Sequence, residues 1–287
     1  MQLRHFILMT GVALIVAANV QAQQTQSARE GHADLPGVRI WYQDSGGNGI
    51  PVVFLHAGTG SSRVWENQIQ GFTAAGYRFI AYDRRGWGRT LVDPSGPQLG
   101  TAADDLQMLM NFLGVDRFHI VATAAGGTIA WDYAVAFPQR VRSMVIANNT
   151  GRVEDKVYRE HVDRLRPAMF DDLPVEFREV GPSYRAENPA GTRRWLELES
   201  VSRPVGPVME NQPLKNKLTF DLLETVKMPV LLMAGGADLL APAPLQRYFT
   251  ERVSSAESLV VPDAGHSIYW ERPEVFNRAA LEFIRKH

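Results

Sequence analysis

The stretch His119-Ile120-Val121-Ala122-Thr123-Ala124-Ala125-Gly126-Gly127 decides how this chain is read. Phe118 to Thr123 is a short run of the kind that a strand buried on both faces presents. Ala122 and Gly126 are small residues placed around a tight turn. Beyond them Ala130, Tyr133, Ala134 and Phe137 recur at the spacing of one helix face. The order strand, strained turn, helix puts Ala124 at the apex. Its side chain is a methyl group, with no hydroxyl, thiol or charge to contribute.

The same alternation extends in both directions. Upstream, Pro51–Leu55 and Phe79–Tyr82 are buried-strand runs, and Val38–Tyr42 alternates before the turn Asp44-Ser45-Gly46-Gly47, which reads as a hairpin. A helix is expected from Thr101, with Asp104 three residues on in the manner of a capping box. Its Leu106, Leu109, Met110 and Leu113 form one apolar face. Downstream, Val141–Ala147, Met228–Ala234 and Leu259–Val261 are further strands, and a last helix opens at Pro273. Alternating units of this kind build a mostly parallel sheet flanked by helices on both faces. Between Ala147 and Met228 the strand runs stop. Glu154–Phe170, Thr192–Val201 and Leu214–Val226 carry helical patterns there, and prolines punctuate the segment. Residues 151–212 read as an inserted helical lid, with 23–150 and 213–287 as the core.

Four segments then fall in a telling order. Leu55-His56-Ala57-Gly58-Thr59-Gly60 follows the first buried strand. Asp83-Arg84-Arg85-Gly86-Trp87-Gly88-Arg89-Thr90 follows the second. Gly235-Gly236-Ala237-Asp238 follows a later strand, and Pro262-Asp263-Ala264-Gly265-His266-Ser267 the last. Together with the turn at 122–126 these segments resemble the α/β-hydrolase family, whose elbow reads G-x-S-x-G. The resemblance implies that Asp238 and His266 are the acid and base of a triad whose nucleophile position is Ala124. It implies that the N–H groups of Gly58 and Ala125 form an oxyanion hole. Asp83 and Arg85 are expected to tie loops together, and Ser61 and Ser62 to cap one. Asn149 falls at the alternative acid position, where it cannot ionise. Thr123 and Thr128 are the nearest hydroxyls, and neither stands at the apex.

Composition narrows the class further. The chain has 287 residues with 31 acidic against 30 basic, so no strong field favours nucleic acid or an anionic membrane. It contains no cysteine, which excludes disulfides and thiolate chemistry. The seven histidines show no metal-ligand spacing, and no metal or cofactor is expected. Arg4 and His5 precede an apolar run from Phe6 to Val20, and Val20-Gln21-Ala22 offers small residues for cleavage. Residues 1–22 therefore read as a signal peptide, with a periplasmic or secreted mature protein that has no membrane attachment. Oligomeric state is not legible.

The expected function is hydrolysis of an ester, lactone or carbon–carbon bond in a small, apolar or aromatic substrate, with Ala124 where the serine belongs. Two alternatives stay open at this point. One is a non-covalent enzyme in which His266 and Asp238 act as a general base. The other is a ligand-binding protein that keeps the fold. Among the lid's aromatic and apolar residues Tyr158, Met169, Phe170, Tyr184 and Trp195, the residues Tyr158 and Trp195 are pocket candidates, and all of these have the lid's own core as the alternative role. Arg152, Arg159, Arg164, Arg193 and Arg194 resemble a carboxylate clamp but are balanced by nearby acids.

Overall fold

A computed structural model describes residues 29–93, 95–96, 100–203 and 212–287. The expected signal segment 1–22 lies outside the described residues. In chain order the strands are β1 (Arg29–Leu35), β2 (Val38–Asp44), β3 (Pro51–Leu55), β4 (Arg78–Tyr82), β5 (Leu91–Val92), β6 (Phe118–Thr123), β7 (Val141–Ala147), β8 (Val230–Gly235) and β9 (Ala256–Val261). The helices are α1 (Ile69–Ala74), α2 (Ala102–Phe112), α3 (Ala125–Ala136), α4 (Lys156–Leu165), α5 (Val175–Glu179), α6 (Pro182–Glu187), α7 (Pro189–Ser200), α8 (Phe220–Leu223), α9 (Gln246–Arg252), α10 (Ile268–Glu271) and α11 (Pro273–Ile284).

One sheet runs β1-β2-β4-β3-β6-β7-β8-β9, with β5 on β2. The pairs from β4–β3 through β8–β9 are parallel, and β2 is antiparallel to β1, β4 and β5. Alternate residues of the central strands feed opposite layers. Val53, Leu55, Ile120, Ile146 and Leu232 face one core, and Val52, Phe54, Val121, Val145 and Met233 the other. That doubly buried pattern is why the strands read as continuous apolar runs. Helix α2 begins as expected, with the Thr101 side chain accepting from Asp104 N and the Asp104 side chain answering it. Among the described residues no helix is long and apolar enough to cross a membrane.

Two expectations are corrected. The hairpin involving β2 closes through Pro36-Gly37 onto β1, with Leu35 opposite Val38. The turn at 44–47 instead sends the chain to β3, which is not a neighbour of β2. Gly37, at φ 70°, supplies the positive torsion that the true turn requires. The Leu214–Val226 pattern contains only the single turn α8. Its first half is an extended loop pinned to α3, where the fully buried Asp132 carboxylate accepts from Lys215 N and Asn216 N, each at 2.8 Å. An external carboxylate satisfies those amides, so a helix is not needed there.

The insertion between β7 and β8 carries α4 to α8. It is fastened to the core by buried contacts, not only by its ends. Glu271 Oε2 accepts from Gly181 N (3.0 Å) and Gly265 N (2.8 Å), while Oε1 accepts from Ser267 N (3.1 Å). One carboxylate thus joins the insertion to the loop that holds His266. Gly181 and Gly265 pass backbone against backbone at this point. A Cβ on Gly265 would lie 2.4 Å from Gly181 N, so neither position has room for a side chain.

Candidate active site

Ala124 sits between β6 and α3 at φ 47°, ψ −119°. This is a costly backbone for any residue with a Cβ. Three hydrogen bonds hold it there. Ala124 N donates to Ala147 O (2.9 Å), and Ala124 O accepts from Gly127 N (2.9 Å) and from Asn149 Nδ2 (2.6 Å). Gly126 lets α3 press on the end of β3, because a Cβ there would lie 2.2 Å from Leu55 O. The surroundings therefore fix the turn whatever side chain occupies its apex.

Asp238 and His266 lie beyond the carboxyl ends of β8 and β9, the edge where ligands bind in sheets of this kind. His266 Nδ1 and Asp238 Oδ2 are 2.8 Å apart, and both residues are buried. Asp238 Oδ1 accepts from Leu240 N (2.8 Å) and Ala241 N (2.9 Å), which fixes the carboxylate. Burial raises its pKa, but His266 and these donors outweigh it and hold Asp238 below the usual carboxylate range. Burial also disfavours the imidazolium of His266. The charges of Asp238 and Glu179 overcome that and hold the ring's pKa at about 9. This leaves Nε2 as the ring nitrogen free of the aspartate.

The oxyanion candidates adjoin the turn. A Cβ on Gly58 would lie 3.9 Å from the Ala125 Cβ, so the two residues sit side by side. Neither amide is a donor in the hydrogen bonds of the described loops and turns. Ala125 N is also the first N–H of α3, where helix geometry leaves donors without intrahelical partners. The Gly58 carbonyl is held away by Trp87 Nε1 at 2.8 Å. Next to it His56 is a neutral strut: Nδ1 contacts Ala57 O (2.7 Å) and Nε2 accepts from Arg84 N (3.1 Å). Burial, with Arg84 nearby, pushes its pKa down to about 3, so it does not act as a base.

The loop after β4 behaves as the sequence indicated. Asp83 accepts from Ser62 N and Arg89 N, and Arg85 forms a two-pronged pair with Asp105 at 2.8 and 2.9 Å. The second acid position needs correcting. Asn148, not Asn149, donates to Asp238 Oδ2 (2.9 Å), whereas Asn149 turns to Ala124 O and Thr128 Oγ1. The positive φ of Asn148, 50°, breaks the strand alternation from which its direction would have been read.

Both pocket candidates are buried in packing. Trp195 is 2% exposed and packs with Tyr184, Leu198 and Tyr269, so it anchors the insertion to the core. Tyr158 is buried, donates to Thr150 O (2.9 Å) and meets Phe220, Tyr248 and Phe249 edge-on. It does line a cavity of about 640 Å³, but Ala124, Gly58 and His266 are absent from that lining. A smaller cavity of about 90 Å³ touches Ala125, with Arg84, Trp87 and Arg152 around it. Sequence reasoning missed Glu179 altogether. This residue ends α5, is 8% exposed, and accepts from Thr59 Oγ1 at 3.4 Å. Burial pushes its carboxyl up, and its field is among those acting on His266. Only tertiary packing brings it there. Among the described residues no group of three His, Asp or Glu is placed to hold a metal.

The comparisons agree with this architecture. A relative from Caulobacter sp. (strain K31), named "Putative carbamate hydrolase RutD", is 33% identical over 245 residues, covering 81% of this chain and 90% of its own. A Burkholderia vietnamiensis protein named 2-hydroxy-6-oxononadienedioate/2-hydroxy-6-oxononatrienedioate hydrolase is 27% identical over 271 residues, covering 87% and 92%. The solved structure of a thermophilic esterase from Thermogutta terrifontis superposes with a TM-score of 0.73 at 23% identity, covering 91% of this chain and 98% of that one. The sequence model of the alpha/beta hydrolase fold matches residues 50–273, and the chain belongs to that family.

Proposed function

We propose that this site binds a small acyl substrate for hydrolysis of an ester, lactone or carbon–carbon bond, with Ala124 standing where the attacking serine oxygen belongs. The observation that carries this reading is the Ala124 backbone. A strained φ of 47° is held by hydrogen bonds on both sides of the peptide, in a chain that also pairs His266 with Asp238 at 2.8 Å. Strain over-determined in this way is characteristic of functional turns. With a serine at 124, His266 Nε2 would take the hydroxyl proton as the oxygen attacks the acyl carbon. Gly58 N and Ala125 N would hold the resulting oxyanion, and the proton would pass to the leaving group. Water would then release the acyl group by the same steps. With alanine the chain keeps the binding groups and lacks the attacking oxygen.

The test is turnover of a p-nitrophenyl ester by Ala124→Ser. Losing one member of a triad costs about 10⁴–10⁶ in turnover. The variant is therefore expected to exceed the alanine chain by at least about 10³-fold, and His266→Asn is expected to abolish the gain. No gain would refute the reading.

A second reading is favoured by Glu179. A second carboxylate acting on the dyad suits an enzyme in which His266 acts directly on water, without a covalent intermediate. In that case the alanine chain itself turns over substrate at an ordinary rate and His266→Asn stops it. The expected export is a separate proposal. Protein from the native host should begin at or near Gln23, and an intact Met1 would refute it.

A further inference from the structure

Three arginines follow or neighbour the Asp83 loop closely enough to be compared. Arg85 is paired with Asp105 and Arg89 with Asp83. Arg84, immediately before Arg85 in sequence, is 7% exposed and has no carboxylate partner among the described residues. One guanidinium nitrogen, Nη2, donates to Ala57 O (3.0 Å), and Nε has no partner among the described residues. The guanidinium carbon lies 4.2 Å from the centre of the Trp87 ring. Arg203 stacks on the same ring at 3.6 Å, and its Nη1 is likewise unpartnered among the described residues. Burial, with the like charge of Arg203, pushes the Arg84 pKa down to about 10. A buried cation without a counter-charge is costly, so such groups are ordinarily paired.

The placement of this charge gives it meaning. Arg84 lines the cavity of about 90 Å³ that also touches Ala125, one of the two oxyanion candidates. Arg152 lines the same cavity and, with Leu214, also the outer cavity of about 640 Å³, so the two adjoin. The negative groups Asp238 and Glu179 act on the His266 side.

We propose that the cavity beside Ala125 is a subsite for a carboxylate on the substrate, held by Arg84 with Arg152 at its mouth. The substrate class is then a small acyl compound bearing a free carboxylate a few bonds from the scissile bond. A space of about 90 Å³ equals roughly three waters and admits a carboxylate with its neighbouring carbon. With Nη2 engaged by Ala57 O, the remaining guanidinium N–H groups are the donors such a group would meet. This inference rests on the hydrolase reading for the bond broken, but the anion subsite stands or falls by itself.

The test uses Trp87 as reporter. Fluorescence titration of the full alanine chain compares monomethyl glutarate with methyl butyrate. The charged ester is expected to bind at least about tenfold more tightly, as one charge-assisted hydrogen bond supplies. That preference should weaken with salt and disappear in Arg84→Met. Because Arg84 is buried, Arg152→Gln provides a second variant at an exposed position, with an expected loss of about threefold, since rim charges contribute less. Equal affinity for the two esters would overturn the proposal, as would inorganic phosphate binding more tightly than succinate. Charge preference without turnover in Ala124→Ser keeps the subsite and removes the hydrolase reading. Turnover in that variant with no charge preference does the reverse.

Discussion

Replacing Ala124 with glycine should stabilise this protein, an uncommon outcome for a residue beside a candidate active site. At φ 47°, ψ −119° the alanine Cβ crowds the adjoining peptide groups. A single residue in so sparsely populated a region costs about 1–3 kcal/mol. Glycine removes that strain but adds freedom to the unfolded chain, costing about 0.5–1 kcal/mol. The bonds to Ala147 O, Gly127 N and Asn149 Nδ2 all involve backbone atoms of residue 124, so they survive the change. The net gain is about 0.5–2 kcal/mol, and for a domain of this size Tm should rise by about 1–8 °C. Differential scanning calorimetry of Ala124→Gly against the parent measures it. A lower Tm would mean that the apex is not strained and that the turn is not held by its surroundings.

Other perturbations test other parts of the account. If His266 is the base, it must be neutral to act, so kcat/KM of Ala124→Ser should rise with pH through about 9. Glu179→Gln removes a negative neighbour and should move that limb to lower pH, and an unmoved limb would place Glu179 outside the dyad's field. The same raised pKa links to stability. The imidazolium's contribution is complete below the unfolded value of about 6.5 and is lost as pH rises through about 9. Urea melts of the parent and His266→Asn across that interval should converge at the alkaline end. Glu271→Ala strands the N–H groups of Gly181, Gly265 and Ser267 and should cost about 1–3 kcal/mol in urea unfolding. If residues 151–212 act as a lid, hydrogen exchange should find α4 and α7 less protected than β3 or β7, and equal protection would make the segment part of the core.

What could be read in advance followed from local rules. Pro51–Leu55, Phe118–Thr123 and Val141–Ala147 are buried on both faces, so burial alone writes them as apolar runs. Thr101 and Asp104 meet within one helical turn, which makes the start of α2 equally local. Asp238 and His266 were legible through the resemblance of Gly235–Asp238 and Ala264–His266 to the family's segments, and the structure pairs them at 2.8 Å. Long-range packing hid the rest. Leu214–Val226 has helical spacing, yet its amides are taken by Asp132, more than eighty residues earlier in the chain. Glu179 gives no signal of its own, since an acidic residue on a short helix is ordinarily solvated. Arg84 looks like one more loop arginine until its two neighbours are seen to hold the available carboxylates.

The most direct test of the central claim is covalent. The account holds that position 124 faces His266 and the two oxyanion amides, lacking only the attacking oxygen. Ala124→Ser and the alanine chain are each incubated with a fluorophosphonate, and intact-mass spectrometry with peptide mapping locates any adduct. The account predicts a stoichiometric adduct on the introduced hydroxyl, its loss on adding His266→Asn, and no adduct on the alanine chain. An unlabelled Ala124→Ser that is folded by circular dichroism would contradict it.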